Sequence, residues 1–95
     1  MNSGEKMKIK QGFYLKDENN QKIIACDKNL NPNFNSIIIL TDTSSHLWNL
    51  LRSEDVTKEK MLNSLLENFD ISTVLALNDI DVFIRILKEN GIIEE

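Results

Sequence analysis

The sequence predicts one α+β domain in which three strands precede three helices. Residues 12–26 have the pattern of a β-hairpin, because apolar and polar positions alternate on either side of a turn-forming cluster at residues 17–21. Residues 37–40 form a short β-branched run, which is typical of a strand. From Thr41 onward the apolar residues recur at helical spacing instead.

Helix boundaries follow from capping residues. Thr41 or Thr43 can cap the first helix, because a hydroxyl oxygen accepts a hydrogen bond from a free backbone amide. Thr57 can cap the second helix, and a third begins after Ser72 and stops at Gly91. The apolar residues expected to face the core from the first two helices are Leu47, Trp48, Leu50, Leu51, Met61, Leu62, Leu65, Leu66 and Phe69.

The third helix carries two apolar stripes when residues are placed about 100° apart. The core stripe consists of Ala76, Leu77, Ile80, Phe83, Ile84 and Leu87. Nearly opposite lies a second stripe of Leu75, Val82 and Ile86, with Asp79 alongside. Either the second stripe packs on the hairpin or the amino-terminal tail, or it faces a partner, since soluble monomers rarely expose large apolar patches without a use.

The run at residues 37–40 lacks the alternation of a strand with one solvated face. One interpretation places its second face under a loop, beneath Phe34 or Leu30. The other makes it an edge strand whose free amides and carbonyls accept an added peptide strand. No proline, lysine or glycine blocks such pairing within the run. We expect Ile38 and Leu40 to face the core.

Composition limits the function. The chain has 95 residues, a length typical of a single domain, which is predicted at 8–95. Residues 1–7 are predicted to form a flexible tail. Fifteen acidic residues against 11 basic ones give a net charge of −4, which argues against nucleic acid as a partner. Neither a membrane span nor a signal peptide is evident. With the single Cys26, which excludes an internal disulfide, these features predict a cytoplasmic protein.

No catalytic or cofactor-binding motif is apparent. His46 is the only histidine and lacks the clustered partners that a metal site needs, so we expect a structural role. Cys26 has no CxxC partner and is interpreted as a small apolar residue. The three glycines build no phosphate-binding loop. We therefore expect a binding protein without cofactors and not an enzyme.

Four segments, in order, resemble the PqqD-like family, whose members are also called RiPP recognition elements. "MKIKQGFYLK" is similar to the first strand of the family, and "NFNSIIILTDTSSHLWNLL" to its strand followed by a helix with a Leu-Trp pair. "VTKEKMLNSLLENFDIS" resembles its threonine-capped second helix, and "NDIDVFIRILKENGIIEE" its closing pattern. Thr41-Asp42 replaces the usual Asn-Glu, and Val82 and Ile86 stand at commonly polar positions.

The resemblance implies a winged helix-turn-helix fold and binding of the leader segment of a ribosomally made precursor peptide. The leader is expected to add as a strand beside the third strand, in a cleft against the third helix. A modifying enzyme, such as a radical S-adenosylmethionine protein, then acts on the tethered peptide. The residues expected to bind the peptide are Ile37, Ile38, Ile39, Leu75, Asp79, Val82, Arg85 and Ile86.

Two alternative functions stay open. A winged-helix DNA-binding protein shares the implied fold, but it needs basic and polar residues on the outward face of its recognition helix. A structural subunit or homodimer can instead use the apolar stripe of Leu75, Val82 and Ile86.

Overall fold

The computed structural model describes residues 6–54 and 56–94. In chain order the elements are β1 (Lys6–Ile9), β2 (Phe13–Glu18), β3 (Gln21–Cys26), β4 (Ile39–Leu40), α1 (Asp42–Ser53), β5 (Val56–Thr57), α2 (Lys58–Asn68), α3 (Thr73–Glu89) and β6 (Ile93–Glu94). Within these residues the strands form two antiparallel three-stranded sheets, with orders β2-β3-β4 and β5-β1-β6. The predicted α+β fold, a three-stranded antiparallel sheet with three helices, is confirmed.

The sheet β2-β3-β4 contains the predicted hairpin. Phe13 at the start of β2 pairs with Cys26 at the end of β3. Between the strands, Asn19 and Asn20 have φ angles of 54° and 65°. A two-residue turn that follows the strand twist requires this left-handed conformation, which asparagine adopts more readily than most residues. The pair Asn19-Asn20 therefore sets the register of the hairpin.

The sheet β5-β1-β6 was not predicted. Met7 pairs with Val56 and Ile9 with Ile93, so β1 joins segments from the middle and the end of the chain. Met7 and Ile9 are buried while Lys6 and Lys8 are exposed. The predicted tail at residues 1–7 is thus wrong for Lys6 and Met7, because their strand is held by distant partners. Residues 1–5 lie outside the described residues.

The three helices begin at the expected hydroxyl caps. The Thr41 hydroxyl accepts from the Ser44 amide and the Thr57 hydroxyl from the Lys60 amide, both at 3.2 Å. The Ser72 hydroxyl likewise accepts from the Leu75 amide at 3.2 Å. At the end of α3, Gly91 has φ of 67°, a conformation that glycine adopts without strain. Of the two candidates for the first cap, Thr41 is the residue used.

The core lies between the helices and both sheets. Trp48 and Phe83 are its largest fully buried side chains, and each is only 1% exposed. Along α3 the buried residues are Ala76, Ile80, Phe83 and Leu87. Leu77, predicted to face the core, is 37% exposed. It lies about 60° from Ile80 around the helix axis, at the margin of the core stripe.

Because Ile9 is 9% exposed and paired with Ile93, replacing it tests whether β1 belongs to the folded domain. We expect Ile9→Ala to lower the free energy of unfolding by about 2–3 kcal/mol through lost apolar burial. Lys8→Ala, at an exposed position of the same strand, serves as the control and is expected to change it by less than about 0.5 kcal/mol. Urea unfolding measures both. Equal, small effects would mean that β1 contributes nothing to stability.

Candidate functional site

Strand β4 forms one edge of its sheet. It pairs with β3 through Ile23↔Ile39 and Lys22↔Leu40, and the amide of Ile24 donates to the carbonyl of Ile38 at 3.0 Å. In an antiparallel pair, the residues that bond to the neighbouring strand alternate with residues whose amide and carbonyl point away. The main-chain groups of Ile37 and Ile39 therefore point away from β3. In the described part of the chain, no strand pairs with that side of β4.

The side chains of this segment explain its unbroken apolar sequence. Ile38 and Leu40 are each 8% exposed and belong to the core, as expected. Ile37 and Ile39 are 83% and 50% exposed. The interpretation that a loop covers this second face is wrong. Phe34 packs edge-on against the core residue Phe13, with 5.1 Å between the ring centres, and Ile37 and Ile39 stay accessible.

Two side-chain hydrogen bonds place this segment alongside α3. The Thr43 hydroxyl donates to Oδ2 of Asp79 at 3.1 Å, and the Ser36 hydroxyl donates to Oδ1 of Asn90 at 2.7 Å. The chain from Ser36 to Thr43 consequently runs antiparallel to the part of α3 between Asp79 and Asn90, a span of about 16 Å. Thr43, Ser36 and Asn90 have no distinctive sequence pattern, so sequence reasoning missed this link.

The face of α3 beside β4 carries the second apolar stripe. Counting about 100° per residue, Leu75, Val82 and Ile86 lie within about 60° of Asp79. Leu75 is 58% exposed, Val82 is partly buried, and Ile86 is partly buried and packs against the core. We call the free edge of Ile37 and Ile39 together with this stripe the β4–α3 surface.

Three predicted site residues, Ile38, Asp79 and Arg85, are not part of the β4–α3 surface. Ile38 has its side chain in the core and its carbonyl bonded to Ile24, so we omit it from the β4–α3 surface. Asp79 lies beside that surface, but one of its oxygens already accepts from Thr43. Arg85 is exposed and lies about 120° from Asp79 around the helix, at the outer rim of the stripe.

The outer face of the sheet carries further apolar residues that sequence reasoning did not single out. Cross-strand pairing aligns Tyr14 with Ala25, and Ile23 with Ile39. Tyr14 is 45% exposed, while Ile23 and Ala25 are partly buried. We call these residues, with Ile37 and Ile39, the outer row. The alternation of the hairpin could have identified it, because directly paired residues share a face.

The contacts of His46 and Cys26 are those of residues that support the fold. Nε2 of His46 lies 2.7 Å from the Ser64 hydroxyl, and its ring packs edge-on against Phe69 with 5.4 Å between the ring centres. These contacts join α1 to α2. Sγ of Cys26 lies 3.7 Å from the carbonyl of Asn31. Across residues 6–54 and 56–94, no group of three or more His, Cys, Asp or Glu side chains is arranged to hold a metal ion.

The architecture is that of a small α+β domain, with a strand edge left open beside an apolar helix face. The family described as "Coenzyme PQQ synthesis protein D (PqqD)" matches residues 29–93, more than half of the chain. The chain therefore belongs to the PqqD family, and the resemblance seen in the sequence is confirmed. The match includes β4 and all three helices, and the hairpin β2–β3 precedes it.

A solved structure, "TbiB1 in Complex with the TbiA(beta) Leader Peptide", has a similar fold. The TM-score is 0.69 at 15% sequence identity, and the alignment covers 92% of this chain and 94% of that one. The structural similarity thus extends over the hairpin as well. No curated protein matches the sequence. Among the described helices, none is both long and apolar enough to cross a membrane.

If the edge of β4 is open, its amides exchange with solvent quickly. We expect the Ile39 amide to exchange at least about tenfold faster than the Ile24 amide, which is bonded to the Ile38 carbonyl. Hydrogen–deuterium exchange followed by NMR at low protein concentration measures both rates. Equal protection of the two amides would show that the edge is already paired, and a repeat at several concentrations would reveal pairing between copies.

Proposed function

We propose that the protein binds the leader segment of a ribosomally synthesised precursor peptide by strand addition and presents it to a modifying enzyme. The observation that carries this proposal is the open edge of β4 beside the apolar face of α3. Membership of the PqqD family and the fold shared with a protein solved in complex with a leader peptide support it.

Main-chain pairing supplies the first part of the binding energy. Ile37 and Ile39 each offer one amide and one carbonyl, so an added strand forms about four hydrogen bonds with β4. Each contributes on the order of 1 kcal/mol net, because the same groups are hydrated before binding. This pairing fixes the peptide register and does not depend on the peptide sequence.

Side chains of the peptide supply selectivity. Successive side chains of a strand point to opposite faces, so every second residue of the added strand points toward α3. There it contacts Leu75, Val82 and Ile86, which are exposed or partly buried. Apolar leader residues gain about 25 cal/mol for each Å² removed from water. Arg85 and the free oxygen of Asp79 lie where they can orient a charged residue of the leader.

The role is proposed to be binding without catalysis. A tethered peptide reaches a local concentration in the millimolar range beside an enzyme that holds the complex, which accelerates modification without a new chemical group. The proposed partner is such an enzyme, for example a radical S-adenosylmethionine protein. A DNA-binding role is disfavoured, because the stripe of α3 beside β4 is apolar and not basic.

Titration with synthetic leader peptides, taken from short reading frames beside the gene, tests the proposal. We expect Val82→Asp to weaken binding at least about tenfold, because a carboxylate then faces apolar leader residues. Val74→Asp is the matched control, since Val74 lies on the same helix, is 75% exposed and points away from β4. Thermal unfolding verifies that both variants fold.

Amide exchange provides an independent readout on the unmodified protein. Bound peptide is expected to slow exchange of the Ile37 and Ile39 amides and to leave the Ile24 amide unchanged. Binding without this protection would contradict strand addition. Absence of binding by every peptide at high micromolar concentration, together with a stable dimer in light scattering, would instead favour a structural homodimer.

A further inference from the structure

The outer row is more exposed on the two edge strands than on the central strand β3, with Tyr14 on β2 at 45% and Ile37 beside β4 the most exposed. Ile37 is 83% exposed and Ile39 is 50% exposed, whereas Ile23 and Ala25 on the neighbouring strand are partly buried. A residue in a central strand has cross-strand neighbours on both sides, and Ile37 and Ile39 have them on one side only. Ile37 and Ile39 therefore lack a cross-strand neighbour on the open side of β4.

The strand register determines which peptide residues would lie beside Ile37 and Ile39. Residues directly opposite each other in adjacent strands share a face of the sheet. Peptide residues opposite Ile37 and Ile39 therefore lie on the outer face, and the residue between them, opposite Ile38, points toward α3. The main chain of Ile37 and Ile39 points to the open edge, so the same two residues contribute hydrogen bonds and side-chain contacts.

The composition of the outer row indicates which side chains fit. Pairing aligns Ile39 with Ile23 and then with Lys16 on β2. Two residues earlier in the chain, the same register places Ile37 opposite Ala25, which pairs with Tyr14. The cross-strand set of Ile37, Ala25 and Tyr14 is thus uncharged across all three strands. The set of Ile39, Ile23 and Lys16 ends in a cation.

We propose that the bound peptide is apolar on both faces of its strand, and that Ile37 and Ile39 select its outward-pointing residues. This inference rests on the proposed function and specifies its substrate. The ligand is a run of about four or five consecutive apolar residues, rich in β-branched or aromatic side chains, instead of an alternating segment.

A displayed library of random 15-residue peptides provides the probe. Selection against the unmodified protein is expected to enrich consecutive apolar runs. The double variant I37T/I39T keeps two β-branched residues in the strand while removing apolar surface. Because cross-strand pairs each contribute modestly, we expect it to bind a selected peptide about five- to tenfold more weakly. Val74→Thr, an exposed β-branched position on α3, is the control and is expected to stay within twofold.

The Val82→Asp variant separates this inference from the proposed function. Loss of binding in both Val82→Asp and I37T/I39T supports both. If only Val82→Asp loses binding, and the selected peptides alternate apolar and polar residues, the inference of a peptide apolar on both faces is overturned. The proposed function is left intact. If neither variant binds more weakly, the peptide lies elsewhere and the proposed function fails with the inference. Exposed positions are changed in I37T/I39T, so the fold is expected to persist, and circular dichroism checks this.

Discussion

Burial of Ile38 and Leu40 fixes β4 in the sheet, and the geometry of the β4–α3 surface depends on that burial. Both side chains are 8% exposed, so a shift of one residue in register would place Ile37 and Ile39 in the core and expose their neighbours. Because isoleucine occupies three consecutive positions, hydrophobicity alone does not prevent such a shift. Constraints at the two ends of the segment are needed as well.

The hydrogen bonds to α3 provide those constraints. Thr43 bonds the carboxylate of Asp79 in a partly buried position, where a charged acceptor makes the interaction worth about 1.5–3 kcal/mol. Ser36 bonds Asn90 at an exposed position, and its contribution is smaller. Together with the helix cap at Thr41, they hold both ends of the segment before any ligand arrives. The peptide that we propose to add to β4 would therefore meet an edge that is already ordered, which lowers the entropic cost of such binding.

Local signals in the sequence predicted most of the fold. The Asn19-Asn20 turn and the caps at Thr57 and Ser72 each act within a few residues, so a single sequence identifies them. The pairing of β1 was missed because its partners, β5 and β6, lie at least 47 residues away and are only two residues long. The four residues Lys6, Met7, Lys8 and Ile9 do not reveal such pairing by themselves.

The candidate site was only partly predictable. Helical spacing placed Val82 and Ile86 on one stripe, but it could not show that Asp79 and Asn90 tie this stripe to β4. Ile38 illustrates the limit. The unbroken apolar run does not distinguish residues that face the core from exposed ones, so Ile38 was assigned both to the core and to the peptide site. The burial of its side chain, together with the bond from the Ile24 amide to its carbonyl, assigns Ile38 to the core and not to the open edge.

An open strand edge is also a hazard, because it can pair with any extended chain. Residues 37–40 contain none of the charged or proline residues that usually protect such an edge. The position of α3 supplies a different protection. Ser36 and Thr43 both contact the helix, so the open edge is bounded at each end and spans about 20 Å at most. The helix that would offer apolar contacts to the proposed peptide therefore also limits the length of strand that can pair with the edge.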